Sequence, residues 1–232
     1  MASRELNRQI SYELSGHLCR ISVRFNNILR PFDARDFTVV LASSGYQTIP
    51  PPVTSGIPGV ETNLGFVGLI GKKGGVEFDL NCERQFFGIT DSEISSTITE
   101  FIKIYNELEK ESLILIKNIS FFEYQSRFDV KLVGITPREL IQRNTTRIPL
   151  GKKVSEKLGF MTSVSNLSLG TKDSSPDNSE YFEILFRPLP SRLDTTLGIQ
   201  IVRRMSDFSS LEKAAINIEK KFDSFIKEII MK

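Results

Sequence analysis

Few side chains in this sequence of 232 residues could perform catalysis. His17 is the single histidine, and it lies beside Gly16 with no catalytic motif around it. A serine or cysteine hydrolase that uses an imidazole base would have to use this residue. We interpret His17 as a structural histidine at the entrance to a strand. We therefore expect no catalytic residues, which favours a binding protein over an enzyme.

Residues that bind metals are equally scarce. Cys19 and Cys82 are the two cysteines, and each lies in a strand-like alternation that is typical of small buried thiols. With one histidine and two distant cysteines, a metal site would need carboxylates alone. Glu77 and Asp79 are spaced to share one strand face, where two carboxylates could do acid-base work or hold a hard cation but more often belong to a solvated surface. The sequence predicts no metal ion and no cofactor.

Four basic side chains form the strongest candidate binding site. Arg20 and Arg24 alternate with apolar residues in the first predicted strand, and Arg127 and Lys131 do so in a strand of the second half. This alternation places the basic side chains on the wet face of a sheet. There they could contact the phosphates of a nucleic acid or an acidic patch on a protein.

The alternative is that nearby carboxylates neutralise this basic group. Glu77, Asp79 and Asp129 fall in strands of the same predicted sheet and could pair with the basic residues across strands. The chain has 30 Lys and Arg against 28 Asp and Glu, so its long-range attraction for a polyanion is weak. Phe25 and Phe128 are predicted to face inward, which leaves no aromatic residue to stack on bases. We therefore favour protein partners slightly over DNA or RNA.

The first half of the chain contains the strands and helices that would position these residues. Residues 1–17 form an N-terminal extension; Leu6, Ile10 and Leu14 have helical spacing, although residues 10–14 also alternate like a strand. The following segments are a strand at 19–25, a short helix at 31–41, an irregular excursion at 42–64, a hairpin of 66–70 and 76–82, a strand at 85–89, and a long helix behind a capping box at 90–93.

The second half repeats this order. An apolar run at 112–116 and a strand at 127–133 precede a short helix at 137–143, which Thr136 is expected to cap. Strands follow at about 160–169, 181–187 and 196–203, and a capping box at 209–212 begins a long final helix. We predict an α+β fold of two pseudo-repeats, residues 18–110 and 111–232, in one compact unit. Its mainly antiparallel, curved sheet would carry the two long helices on one face.

This order resembles the TATA-binding-protein architecture, which is a saddle of two strand-helix-strands-helix repeats. The likeness in sequence runs from Phe86-Phe87-Gly88-Ile89-Thr90-Asp91-Ser92-Glu93 through the long helix to Ile116-Lys117-Asn118-Ile119, and it is similar to the join between the family's repeats. The family's Ser-Gly-Lys segment is replaced here by Leu80-Asn81-Cys82-Glu83-Arg84. No position matches the family's DNA-kinking phenylalanines, so the resemblance implies the fold and not DNA bending.

The sequence also carries expectations about location and function. No apolar run approaches the roughly 18 residues of a membrane helix, and the first residues lack the apolar region of a signal peptide, so we expect a cytoplasmic protein with no membrane partner. We predict a non-enzymatic binding module that uses an open sheet face or edge to engage a protein or nucleic acid. The module could act alone or as a homodimer. The alternatives are a small-molecule-binding protein or enzyme with a pocket under loop 42–64, and a subunit of a larger assembly.

Overall fold

The computed structural model describes residues 10–26, 34–49, 68–81, 84–114, 118–145, 166–171 and 179–231. These residues form nine β-strands and four α-helices, and every strand pair is antiparallel. The predicted α+β class with an antiparallel sheet is confirmed.

The strands form one sheet in the order β2-β3-β4-β5-β1-β6-β9-β8-β7. In chain order the elements are β1 (Ser11–Phe25), α1 (Ala34–Ser43), β2 (Gln47–Ile49), β3 (Gly68–Lys73), β4 (Val76–Asn81), β5 (Phe86–Asp91), α2 (Ile94–Lys110), β6 (Ile119–Val133), α3 (Pro137–Thr145), β7 (Leu167–Gly170), β8 (Phe182–Pro188), β9 (Thr196–Met205) and α4 (Phe208–Met231).

The centre of the sheet is the pairing of β1 with β6. Both strands have 15 residues, and they pair from Ser11 opposite Val133 to Phe25 opposite Ile119, with two register shifts. Buried apolar residues recur at every second position from Cys19 to Phe25 of β1, and from Phe122 to Leu132 of β6 with Ser126 as the one polar member, as Ile21 and Phe128 illustrate. The intervening residues are largely polar, so the alternation of the sequence divides the sheet into an apolar face and a polar face.

Both long helices pack on the apolar face. Cys19 of β1 contacts Thr97 of α2, and Ser126 of β6 contacts Glu219 of α4. Cys19 and Ser126 are directly opposite each other in the sheet, and residues paired in this way point to the same side. We call this side the helix face and the opposite side the outer face.

The core fills the space between the helix face and the helices. One cluster joins β1, β4 and β5 to α1 and α2, and within it the ring of Phe87 lies 5.8 Å from that of Phe78 and 5.5 Å from that of Phe101. A second cluster joins β6, β8 and β9 to α3 and α4, where Phe128 stacks on Phe222. Aromatic pairs at these distances add to the stabilisation from apolar burial.

Local sequence signals explain several of the element ends. The hairpin between β3 and β4 turns on two glycines, and Gly74 takes a positive φ of 59°, a conformation that glycine adopts without a steric penalty. Thr136 caps α3 as predicted, since its hydroxyl accepts from the Glu139 amide and its own amide donates to the Glu139 carboxylate.

Two other predictions of element ends are wrong. The predicted capping box at 90–93 fails because Thr90 and Asp91 continue β5 in register with β1, and Glu93 makes no side-chain cap bond. Helix α4 begins before its predicted box, since Asp207 accepts from the Ser210 amide at 2.8 Å. Ser112, the first residue of the apolar run at 112–116, lies in a turn and has a positive φ of 57°.

Two predicted loop or extension segments contain strand. Strand β1 begins at Ser11, inside the segment 1–17, because the alternation of residues 10–14 prevails over the helical spacing. Strand β2 (Gln47–Ile49) lies inside the predicted excursion 42–64, of which residues 50–64 lie outside the described part.

Among the described residues, no helix is long and apolar enough to cross a membrane.

Candidate functional site

The four basic residues of the predicted site all lie on the outer face. Arg20 and Arg24 lie two and six residues beyond Leu18 along β1, and Leu18 is directly opposite Arg127 of β6. Lys131 lies four residues beyond Arg127 on the same strand. Because paired residues and alternate residues of a strand share one side, the sheet brings the four residues together on the face away from the core.

Three of these basic residues are paired with carboxylates. The nitrogen-to-oxygen distances are 3.1 Å for Arg20 and Asp79, 3.2 Å for Arg127 and Asp129, and 3.9 Å for Lys131 and Glu13. Arg24 is exposed and has no carboxylate within ion-pair distance among the residues that the structure describes. Ion pairs at a protein surface contribute little to stability, about 0–1 kcal/mol each, but each carboxylate here offsets the charge of its basic partner.

Arg20 is held in a niche of its own. Its guanidinium lies 4.6 Å from the ring centroid of Phe86 and donates to Asp79, while its Nε atom is buried with no hydrogen-bond partner among the described residues. The side chain crosses Gly88, where an added Cβ would lie 2.7 Å from Nε and 2.9 Å from the Cβ of Ser22. Glycine is therefore needed at position 88 to let the arginine lie flat on the sheet.

A second arginine niche lies on the other side of the β1–β6 pair. Arg204 of β9 donates to Glu123 of β6, and its guanidinium lies 4.8 Å from the ring of Phe121 and 4.7 Å from that of Tyr181. The Arg204 and Glu123 side chains are 15% and 13% exposed. Arginine between two aromatic rings and beside a carboxylate is held in one orientation, so this end of the outer face is rigid and largely covered.

The opposite half of the outer face, from Leu18 in the middle of β1 to Val133 at the end of β6, exposes two apolar side chains among paired charges. Leu18 and Val133 are 52% and 53% exposed. Around them, the ion pair of Arg127 with Asp129 lies at the surface, as does that of Lys131 with Glu13. This mixture of apolar and charge-balanced polar surface extends along β1 and β6.

On the helix face, six polar side chains meet between the sheet and the two long helices. They are His17 and Cys19 of β1, Tyr124 and Ser126 of β6, Thr97 of α2 and Glu219 of α4. Oε1 of Glu219 accepts from the Tyr124 hydroxyl at 2.5 Å and from Ser126 at 3.1 Å, and it lies 3.0 Å from Nε2 of His17. The Cys19 sulfur lies 3.1 Å from the Thr97 hydroxyl. We call these six residues the Glu219 cluster.

Burial and neighbouring charge set the protonation of this cluster. Burial, with the nearby Glu219 carboxylate, raises the pKa of the Cys19 thiol to about 11 despite the hydrogen bond with Thr97. Burial and the same carboxylate also raise the pKa of Tyr124 well above its usual value. Both groups are therefore neutral near pH 7, and Cys19 in this state is a poor nucleophile.

The Glu219 cluster does not have the geometry of a serine-hydrolase triad. Nε2 of His17 faces both Ser126, at 3.3 Å, and the Glu219 carboxylate. In a triad the two ring nitrogens have separate partners, so that one receives the serine proton while the other is held by the acid. Here one nitrogen contacts both groups, and Ser126 itself donates to the acid, so the arrangement does not activate the serine.

A shallow groove of about 550 Å³ opens between α2 and the start of α4. Apolar and aromatic side chains of α2, β6 and α4 line it, including Phe101, Tyr105 and Phe208. Its volume falls within the range of small-molecule pockets, and polar residues of α2 and of the start of α4, among them Asn106 and Glu212, also line it. The pocket predicted under loop 42–64 falls mainly on residues outside the described part.

Sequence reasoning located the outer-face residues but not the Glu219 cluster. His17 lies well inside β1, not at its entrance, and it shares the helix face with Cys19 at a two-residue step. Both residues are close to Glu219, which contradicts the expectation that a metal site here would need carboxylates alone. The His-x-Cys spacing on a predicted strand was the available signal. The sequences Phe86-Phe87 and Phe121-Phe122 carried a signal for the two arginine niches, because Phe86 and Phe121 occupy the alternate positions that place them on the outer face.

Comparison with known proteins does not assign a function to these residues. Neither a protein-family model nor a curated protein matches the chain.

The Arg20 niche predicts that Gly88→Ala destabilises the protein by about 1–3 kcal/mol, because the new methyl group meets Arg20 and Ser22 below van der Waals contact. In an Arg20→Ala background the same substitution should cost at least about 0.5 kcal/mol less. Urea unfolding of the four proteins gives the coupling. Gly16→Ala is the control, since a Cβ there makes ordinary contact with Asp129. Equal costs in both backgrounds would contradict the niche.

The Glu219 cluster predicts that Glu219→Ala lowers the free energy of unfolding by about 2–4 kcal/mol, since it leaves the buried hydroxyls of Tyr124 and Ser126 without their acceptor. Glu219→Gln should cost less, because its amide oxygen still accepts. Glu228→Ala, on the exposed side of α4, is the matched control and should change stability by less than about 0.5 kcal/mol. A cost for Glu219→Ala no larger than that of the control would refute the assigned role.

Proposed function

We propose that this chain is a non-enzymatic binding protein whose outer face engages a protein partner along β1 and β6. The observation that carries the proposal is the half of that face between Leu18 and Val133, where these two exposed apolar side chains flank the surface ion pairs of Arg127 and Lys131. Protein-binding surfaces combine apolar contacts with a polar, charge-balanced surround.

We also propose that the chain is built from two strand-helix-strands-helix repeats, in the manner of the TATA-binding-protein architecture. The sheet order supports this, because β5, β4 and β3 extend outward from β1 as β9, β8 and β7 extend from β6. The register supports it as well: Cys19 lies opposite Asp91 of β5, and its partner Ser126 lies opposite Ile201 of β9. On this basis Arg20 and Arg127, which each follow that central pair, occupy equivalent positions.

The distribution of charge favours a protein over a nucleic acid. A surface that binds the phosphate backbone gains affinity by releasing counterions, and this requires cations that are free to neutralise phosphates. Three of the four basic side chains instead have carboxylate partners on their own face. The aromatic rings of Phe86 and Phe121 face arginine side chains, so they are not free to stack on bases.

Leu18 is the position at which the proposal is most directly tested. A photo-cross-linking amino acid at position 18 should form adducts with protein in native lysate, whereas the same residue at position 39, an equally exposed valine on α1, should not. Arg127→Glu should reduce the position-18 adduct, because it creates a cluster of like charge with Asp129 at the proposed interface. Sedimentation of the purified chain separates a second copy from a different protein as the partner.

Titrations with DNA and RNA test whether a nucleic acid is the partner instead of a protein. Fluorescence anisotropy with a short DNA duplex and with single-stranded DNA and RNA, at two salt concentrations, should give no binding that depends on the outer face. Binding that weakens with salt and on Arg24→Ala or Arg127→Ala would replace the protein partner with a nucleic acid. Equal adducts from positions 18 and 39 would remove the outer face as an interface.

A further inference from the structure

Three potential metal ligands converge within the Glu219 cluster. A ring nitrogen of His17, Sγ of Cys19 and a carboxylate oxygen of Glu219 all lie within 4.8 Å of one another. His17 and Cys19 project from the same side of β1 because they are two residues apart, and Glu219 reaches them from α4. Two ligands from one strand and a third from a packed helix are therefore held by the fold itself.

We propose that His17, Cys19 and Glu219 bind one zinc ion between β1 and α4. Imidazole, thiolate and carboxylate are the three protein ligand types that zinc uses, and a thiolate selects against magnesium and calcium. Three protein ligands leave a fourth position for water or a bound molecule, which is the pattern of zinc sites that do more than stabilise a fold. The site lies on the helix face, so it is independent of the partner surface proposed for the outer face.

The distances require only a small adjustment. Tetrahedral zinc holds nitrogen and oxygen ligands roughly 3.3 Å apart and a sulfur roughly 3.6 Å from each, from metal–ligand lengths of about 2.0 and 2.3 Å. His17 and Glu219 are already 3.0 Å apart. The Cys19 sulfur now contacts the Thr97 hydroxyl and the Asp91 carbonyl. To bind the same ion, it must move by about 1 Å towards His17 and Glu219.

The surroundings orient two of the ligands. The imidazole of His17 stacks on Phe128 with 4.5 Å between ring centroids and 9° between planes, and Phe128 is in turn stacked on Phe222. Tyr124 and Ser126 donate to Glu219 and fix its carboxylate. Groups that hold metal ligands in one orientation in this way strengthen the site.

The three ligands differ in exposure. The side chains of His17 and Glu219 remain 18% and 14% exposed, whereas Cys19 is buried. Zinc binds cysteine as the thiolate, so zinc binding at this site releases a proton.

Cobalt titration of the full chain, purified in the presence of a chelator and then freed of it, tests the site. Co²⁺ should bind with one-to-one stoichiometry, give the absorption of a four-coordinate ion, and give a thiolate-to-cobalt charge-transfer band in the near ultraviolet. Zinc should displace it, and competition with a chromophoric chelator gives the zinc affinity.

Variants assign the ligands. Cys19→Ser, which keeps a hydroxyl for Thr97, should abolish the charge-transfer band and weaken zinc binding by at least about 100-fold, a loss no smaller than that seen on removing outer-sphere partners. Cys82→Ser is the matched control, and it should keep the band and the affinity. Glu219→Gln should weaken zinc binding while the band of the remaining cobalt complex persists.

The spectrum of the wild-type protein alone can overturn the proposal, so the test does not depend on whether a variant folds. A cobalt complex without a charge-transfer band, or no binding of either ion, removes Cys19 from any metal site. A band that survives Cys19→Ser or disappears in Cys82→Ser assigns the metal to other residues and overturns the proposal equally.

Discussion

The long antiparallel pairing of β1 with β6 is the constraint on which the rest of the structure depends. Each strand contributes 15 residues, and Ser11 at the start of β1 lies opposite Val133 at the end of β6. Every other strand of the sheet extends outward from this pair, and both long helices contact it from one side. Since a shift by one residue would exchange the two faces, burial of the apolar alternation fixes the register.

That register separates two kinds of polar chemistry. On the outer face, the positions between the core residues carry arginines and carboxylates, and ion pairing lowers the net charge that a polyanion would meet. On the helix face, the polar residues at the middle of the pair are buried, and they meet the carboxylate of Glu219 from α4. Buried polar groups remain tolerable there because each has a partner, and such a network makes one arrangement of strands and helix much more favourable than others.

The sequence was most informative where local pattern and tertiary packing agree. Period-two alternation identified the inward residues of β1 and the outward arginines, and helical spacing identified α2 and α4. Cross-strand pairing of Arg20 with Asp79 was among the alternatives, because carboxylates at strand spacing were visible. The capping box at 90–93 failed for the opposite reason: the pairing of Thr90 with Arg20 extends β5 through residues whose local preference is a helix cap.

The Glu219 cluster could not be deduced from the sequence in the same way. Glu219 lies 202 residues from His17, and no local pattern records that distance. In the sequence, Glu219 belongs to an ordinary amphipathic helix pattern. Only the packing of α4 on β1 and β6 shows which residues Glu219 contacts. The niche of Arg204 is similar, since it joins β9 to Glu123 and Phe121 of β6.

Native-state hydrogen exchange of the backbone amides tests the central role of the β1–β6 pair most directly. If this pair holds the structure together, its amides exchange only through global unfolding, with a free energy equal to that from denaturant unfolding. The amides of the edge strands β2 and β7 should exchange through smaller openings. Amides of β1 or β6 that exchange with a lower free energy than those of β5 and β9 would contradict this account.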